Sequence, residues 1–444
     1  MRLSSYIIPT KVDNDKYLLV HGYTGAVDLV DSAVAECLSV YANVDVPEAA
    51  FDENIKTTLM SRGYLTEKSI QEEYDYVSRM ADLLHRKSML SFAGFTFVVT
   101  YDCNFRCPYC FERESVCSRL GGRSMTREVV DAAYKAIDAV NKSRLRPSRY
   151  ITLFGGEPLL KENLAIVEYI VGKGVEQGFK FRAITNSYDL NYFAHLLSND
   201  KINSVQTTID GMAEMHNSKR VHRDGVPTFY RIIENMKIAL DKGIEVGVRF
   251  NTDKSNFQEM VALKQYLNEL GYADTGRLVF DSARLINHED NKLDESFFTQ
   301  KEFVKEHAKN KFEYGCKDFG TYSKLYKAIS TGKPLPYKAS FCGAQHGSLV
   351  FDPFYRIYPC WEVIGEKEHE TGYYKDGAIV WNEENLSRWN NSFVSNIPEC
   401  QGCKCALLCG GGCPAHSFNR HHCTCMADLI HAAAQRLYKN EILK

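Results

Sequence analysis

The sequence predicts an α/β protein built on a parallel sheet, with a small unit in front of it and a cysteine-rich segment behind. Three observations carry this. β-prone and helix-prone stretches alternate six times between residues 95 and 281, the pattern of β/α units sharing one parallel sheet. A strand-turn-strand followed by short apolar-periodic helices occupies residues 1–70. Nine of the fifteen cysteines fall between Cys342 and Cys425. At 444 residues the chain has room for one large core domain and one or two smaller ones.

Composition narrows the function classes. With 44% hydrophobic residues, 25% charged residues and a net charge of −2, nothing draws the chain toward nucleic acid or an anionic membrane. No apolar run has the length of a membrane span, and residues 1–10 lack the charged-then-apolar form of a signal peptide. The expected location is the cytoplasm. Thiols stay reduced there, so fifteen cysteines point to metal rather than to disulfides. Cys37, Cys117 and Cys316 stand apart from the two clusters, and an isolated cysteine is ordinarily a small core hydrophobe.

In chain order, Tyr17–Val30 reads as a hairpin across Gly22-Tyr-Thr-Gly25, Asp31 caps a helix over 32–41, and a second helix fits 49–61 before Gly63. Residues 71–92 form a charged linker helix. The core, 93–300, takes strands at 95–100, 150–154, 179–185, 204–210, 245–251 and 277–281. Helices follow at 126–142, 161–177, 191–198, 228–242 and 256–270. This is a partial (β/α)6, TIM-like barrel, whose chemistry belongs at the carboxyl ends of its strands. A helical linker, 301–340, leads to the cysteine-rich domain, 341–430, and a final helix, 431–444.

The first strand runs into Thr100-Tyr-Asp-Cys-Asn-Phe-Arg-Cys-Pro-Tyr-Cys110. Its C-x3-C-x2-C loop offers Cys103, Cys107 and Cys110. Three thiols suit a 4Fe–4S cluster with one open iron better than tetrahedral zinc, which wants four protein ligands. The second strand ends in Gly155-Gly-Glu-Pro158, the third in Thr185-Asn-Ser187, the fourth in Thr208-Ile-Asp-Gly211 and the fifth in Arg249-Phe-Asn251.

Together these residues resemble the radical S-adenosylmethionine (SAM) superfamily, whose cysteine loop carries an aromatic before its third cysteine, here Tyr109. The resemblance implies that SAM chelates the open iron and is cleaved to a 5′-deoxyadenosyl radical. It implies SAM contacts from Gly155, Gly156 and Glu157 (methionine amine), from Thr185 and Asn186, from Thr208 and Asp210, and from Asn251. Arg220, in an HDxxR-like segment where Asn217 replaces the acid, is implied for the SAM carboxylate. Ser187 stands where that family usually has glycine.

Near the C-terminus, Cys342 and Cys360 flank a strand-turn-strand pattern, followed by C-x2-C-x5-C-x3-C over Cys400, Cys403, Cys409 and Cys413, then by Cys423 and Cys425. The spacing resembles the SPASM domain, which holds two auxiliary 4Fe–4S clusters. That resemblance implies Cys342, Cys360 and Cys413 for the first cluster. For the second it implies Cys400, Cys403, Cys409 and one of Cys423 or Cys425, with Cys425 favoured. The first then has an open iron or recruits Cys316, Cys405 or the spare of the last pair. Structural zinc is the competing reading. His416, His421 and His422 read as surface turn residues. The 1–70 pattern resembles the winged-helix leader-recognition element of peptide-modifying enzymes, where a leader peptide adds a strand; an N-terminal cap on the main domain is the alternative.

The combined expectation is a radical SAM–SPASM peptide maturase with three 4Fe–4S clusters and SAM. It takes its electrons from a donor such as flavodoxin or ferredoxin. Its substrate is a precursor peptide, in which it installs a cross-link, thioether ahead of carbon–carbon. A sulfatase-maturating, formylglycine-forming enzyme is the rival within the class, and an iron–sulfur electron-transfer or redox-sensing protein the rival outside it. The sequence singles out no general base.

Overall fold

The computed structural model describes every residue except 42–43, 92, 113–119, 287–294, 310–314, 317–319, 376–377, 417–422, 425 and 443–444. Six parallel strands form the barrel: Gly94–Thr100, Tyr150–Gly155, Lys180–Thr185, Ile202–Thr208, Glu245–Thr252 and Leu278–Arg284. Each pairs with the next, as connecting helices require of a parallel sheet. Alternate residues divide the faces. Phe95, Phe97 and Val99 point outward against Ala133, Ile137 and Val171 of helices Arg127–Lys142 and Leu164–Glu176. Val98 and Phe154 point to the concave side. Thr126 caps the first of those helices by accepting from Val129 N.

Two departures from the expected elements matter. The 191–198 segment is a 3₁₀-helix, Leu190–Leu196, rather than an α-helix. The C-terminal hairpin is no separate sheet: Ser348–Phe351 pairs in parallel with the first barrel strand, Ser348 opposite Gly94 and Phe351 opposite Phe97. Leu349 and Phe351 thereby join the outer core with Phe95 and Phe97, while Val350 joins Val98 on the concave side. Arg356–Tyr358, Gly372–Tyr373 and Val380–Trp381 continue the same sheet in antiparallel fashion. At the other edge, Gly315–Cys316 pairs with Asp281 and Ser282.

The N-terminal unit holds an antiparallel sheet of Ile7–Lys11, Lys16–His21 and Val27–Asp31, with helices Ser32–Val40 and Glu53–Arg62. The first of these strands lies ahead of the expected Tyr17–Val30 hairpin; it carries Pro9 and sits at the sheet edge, where proline is tolerated. The second helix starts later than its sequence pattern, at an Asp52 cap that accepts from Ile55 N. Leu19 packs with Leu38, Leu59 and Tyr64, while Leu18 and Val20 face Met426, Leu429 and Ala433 of helix Met426–Leu437. Glu73, from helix Ile70–Ser91, anchors the unit from beneath. Fully buried, it accepts from Arg2 Nη2 (2.6 Å), Ser4 Oγ (2.5 Å), Ser5 N (2.9 Å) and Tyr23 OH (2.9 Å). No helix among the described residues is long and apolar enough to cross a membrane.

Candidate active site

The four strand-end motifs meet at the carboxyl end of the barrel, with the cysteine loop beside them. Backbone bonds from Arg106 N to Val221 O (2.7 Å) and from Arg223 N to Asn104 O (2.8 Å) tie that loop to the segment after Arg220. The two glycines are required by contact. A Cβ on Gly155, whose φ is +133°, would stand 2.2 Å from Thr100 O, and one on Gly156 would stand 2.3 Å from Asp102 O. Glu157 is 2% exposed. It accepts from Leu159 N (2.9 Å), Thr185 Oγ1 (2.6 Å) and Asn186 N (2.6 Å). Burial pushes its carboxyl up to about 7, against the pull of those donors. Asn186 also donates to Asn104 Oδ1 (2.7 Å), which joins the third strand to the cysteine loop.

A second network gathers residues from four segments. Tyr109 OH donates to Asp210 Oδ2 and accepts from Arg220 Nη1 (3.3 Å) and Asn251 Nδ2 (3.4 Å). Asp210 Oδ1 accepts from Asn251 N (2.9 Å), and Arg249 Nε donates to Asn251 Oδ1 (2.8 Å). Burial pushes Asp210 up, while Arg220 and these bonds pull it back. Thr208 lies buried at the end of the fourth strand, opposite Arg249. Ser187 has φ +63°, the left-handed region that favours glycine, and its hydroxyl is buried without a partner.

The thiols fall into three groups. Cys103, Cys107 and Cys110 sit on the loop, and burial pushes all three up, Cys110 to about 12. Cys360 feels Cys342 and Cys413, so these three lie together although they come from separate segments. Cys400, Cys403, Cys409 and Cys423 interact with one another, with buried Cys405 beside them. Cys423 therefore stands with the second C-terminal group. Cys425, the favoured alternative, lies outside the described residues, as do Cys117, His421 and His422; nothing is described of the side chains of Cys316 and His416.

Among the described residues, the set of three donor atoms mutually within 4.8 Å is Glu366, Glu368 and His369. The thiol groups are spaced more widely. Ligands on one zinc, at about 2.3 Å from the metal, would approach to about 3.8 Å of one another. The spacing suits a multi-iron cluster. Buried, unpartnered atoms beside the loop, among them Arg220 Nε and His216 Nε2, leave donors for a bound ligand. The site thus fits both a cluster and a polar cofactor.

Sequence reasoning missed Glu112, two residues past Cys110. It is 4% exposed, and its Oε2 has no hydrogen-bond partner. Burial, then Glu362 and Glu157, push it up to about 8. The signal was present: Cys110-Phe-Glu112 recurs as Cys360-Trp-Glu362. Also missed was a cavity of about 930 Å³ in which Thr152 and Arg182 of the barrel and Cys342, Cys360 and Trp361 share one lining.

A parallel barrel with a buried three-thiol loop and glycine-rich strand ends defines a class: enzymes that use an iron–sulfur cluster together with a polar cofactor. Residues 97–266 match the Radical SAM superfamily, which marks the barrel as a radical SAM enzyme domain and implies a 4Fe–4S cluster and SAM. The chain is 22% identical over 352 residues to a serine-type anaerobic sulfatase-maturating enzyme of Bacteroides thetaiotaomicron, spanning 72% of this chain and 81% of that one. It also resembles the structure of native anSMEcpe with bound AdoMet and Cp18Cys peptide (TM-score 0.56, 19% identity, 79% and 96% of the two chains). Streptococcus suis SuiB bound to precursor peptide SuiA matches over 93% of this chain and 95% of that one, with TM-score 0.51 and 14% identity. These likenesses are of fold.

Proposed function

We propose that the protein is a cytoplasmic radical SAM peptide maturase that installs an intramolecular cross-link, with a thioether favoured, in a ribosomally made precursor. The observation that carries this is the meeting of Cys342, Cys360 and Cys413, from three separate segments, beside a barrel wall that already bears the cysteine loop. A cross-link removes two hydrogens from the peptide. Cys103, Cys107 and Cys110 would hold the cluster that binds SAM, and that pair would supply the hydrogen-abstracting chemistry that takes one of them. The other leaves as a proton and an electron, and the two C-terminal thiol groups would hold auxiliary clusters able to accept that electron.

The chain's own residues prepare this step. Glu157, held by Leu159, Thr185 and Asn186, would offer a buried carboxylate to the SAM ammonium, and Arg220, held by Tyr109, would offer a guanidinium to its carboxylate. The N-terminal sheet would take the precursor's leader as an added strand. A reduced flavodoxin or ferredoxin would supply electrons, and no nucleic acid or membrane enters the scheme.

Iron and sulfide analysis of anaerobically reconstituted protein tests the reading. About twelve irons per chain, falling to about eight in the Cys103/Cys107/Cys110→Ala variant, is the expected result. About four falling to none would overturn it. Similarity to the Bacteroides sulfatase-maturating enzyme supports the second reading, formylglycine formation on a protein. Deleting residues 1–70 would not separate the two, because it strips Leu18 and Val20 from the C-terminal helix. Peptide mass spectrometry does: loss of two hydrogens without a new aldehyde, on substrate carrying its leader but not on the core peptide alone, supports the maturase.

A further inference from the structure

The segment Lys142-Ser-Arg-Leu-Arg-Pro-Ser-Arg149 places four cations and no acid in eight residues of a chain whose net charge is −2. It bridges helix Arg127–Lys142 and strand Tyr150–Gly155 at the amino-terminal end of the barrel, opposite the SAM site. Its backbone is pinned to the end of helix Ile70–Ser91 by Leu145 N to Leu90 O (2.9 Å) and Arg146 N to Ser91 O (2.8 Å). That pairing sets two leucines side by side at the surface, Leu145 75% and Leu90 56% exposed. Around them stand exposed Arg86, Lys87, Arg146 and Arg149. Among the described residues none of these four forms an ion pair, whereas Lys142 is paired with Asp138 (2.6 Å). Arg149 is held in place by its Nη1 bond to Gln177 O (3.1 Å) and by the Phe179 ring beneath it.

This surface stands over the cavity described above. Arg146 and Arg149 line the cavity on one side, and Cys342 and Cys360 on another. One acid, Glu245, shares the lining. An apolar centre with a single-sign charged rim is the form of a small, transient, electrostatically steered interface. The sign selects an acidic partner, and the thiols across the cavity select one that trades electrons.

We propose that the Leu90–Leu145 surface docks an acidic one-electron carrier protein, which exchanges electrons with the cluster held by Cys342, Cys360 and Cys413. The step is a single electron transfer. The cluster loses one electron as the oxidised carrier gains it, or the reverse, and no bond forms or breaks. The proposal rests on the proposed function in needing that auxiliary cluster to be present.

The test uses reduced flavodoxin as the probe on full-length reconstituted protein. In the Cys103/Cys107/Cys110→Ala background, where the remaining iron belongs to the auxiliary clusters, stopped-flow reduction reads those clusters directly. Adding Arg146→Glu with Arg149→Glu should slow reduction by flavodoxin roughly tenfold, with dithionite reduction unchanged, and salt should slow the parent in the same way. Leu145→Ser should slow it without altering the salt dependence. Equal flavodoxin rates with and without the glutamates, or equal slowing with dithionite, would overturn the docking site. So would a raised peptide KM in otherwise wild-type enzyme at an unchanged flavodoxin rate, since the surface would then belong to the substrate. Loss of all iron in the triple-alanine background would instead remove the auxiliary clusters and the proposed function with them.

Discussion

Replacing Glu157 by glutamine is the sharpest probe of the SAM site, because shape is kept while charge and one acceptor are lost. In the native site three donors converge on the carboxylate: Leu159 N, Thr185 Oγ1 and Asn186 N. A glutamine that turns its oxygen toward Leu159 and Thr185 presents its NH2 to the Asn186 N–H, donor against donor where the native distance is 2.6 Å. Turned the other way, it opposes Leu159 N–H. Either rotamer leaves a buried donor unmet, at a cost of about 1–3 kcal/mol to the folded state. The charge matters separately. A hydrogen bond to a charged group contributes about 1.5–3 kcal/mol, so SAM affinity should fall about ten- to a hundredfold.

The pH dependence supplies a second readout. Burial holds the Glu157 carboxyl at about 7, so its ionised fraction, and with it the attraction for the SAM ammonium, grows as pH rises through that value. Wild-type affinity should therefore strengthen across that range, while the glutamine variant stays flat. Equilibrium binding of SAM to reconstituted protein, with iron measured on the same samples, checks both. Equal affinities at equal iron, or the same pH profile in both proteins, would refute the assignment of Glu157 to the ammonium.

The remaining two predictions concern stability. Ser187→Gly relieves a left-handed backbone that costs serine about 1–2 kcal/mol, against about 0.5–1 kcal/mol of extra chain entropy in the unfolded state. The expected gain of about 1 kcal/mol should appear as a melting temperature higher by roughly 1 °C in scanning calorimetry; an unchanged or lower value would count against strain at this position. Glu73→Gln breaks the buried anchor of the N-terminal unit at a cost of about 3 kcal/mol, and limited proteolysis should cut that unit away from an intact barrel. Burial pushes the Glu73 carboxyl up, but its donors together hold it below the usual glutamate range. With the folded value depressed, the anchor is at full strength above that range and is lost as pH falls through the folded value. Apo wild type should accordingly loosen in acid, and the glutamine variant should show no such step.

The barrel was legible because each strand carries its own signal: an apolar run, a polar strand end, and a helix pattern after it. The cysteine loop and Gly155-Gly-Glu157 were legible for the same local reason. What escaped depends on contacts between distant segments. The edge strand Ile7–Lys11 pairs with residues that follow it and carries Pro9, which is excluded from a sheet interior but not from its rim. Ser187 looked like a mere departure from a glycine position, and the left-handed backbone at that residue shows what the position demands. Spacing could not settle between Cys423 and Cys425, because they stand only two residues apart in the sequence; the surroundings of Cys400 and Cys403 single out Cys423 among the described residues.

The pairing of Ser348–Phe351 with the first barrel strand is the long-range event that matters most for function. Local pattern showed a hairpin next to two cysteines and nothing about where it docks. Once it is a neighbour of Gly94–Thr100, the strand that leads to Cys103 and the hairpin that leads to Cys360 run side by side in one sheet. The concave face then fills between them: Trp361 stacks on Phe154 at 5.5 Å between ring centres, and Tyr101 donates to Asp352 Oδ2 at 3.0 Å. The fully buried Tyr101 ring and Asp352 carboxyl and the buried Phe154 are hard to shift, so the separation between the loop thiols and the Cys342–Cys360–Cys413 group is fixed by sheet geometry rather than by a hinge. Under the proposed function, a peptide radical formed at one end and an electron acceptor held at the other would require that constancy, and a linker between two free domains would not provide it.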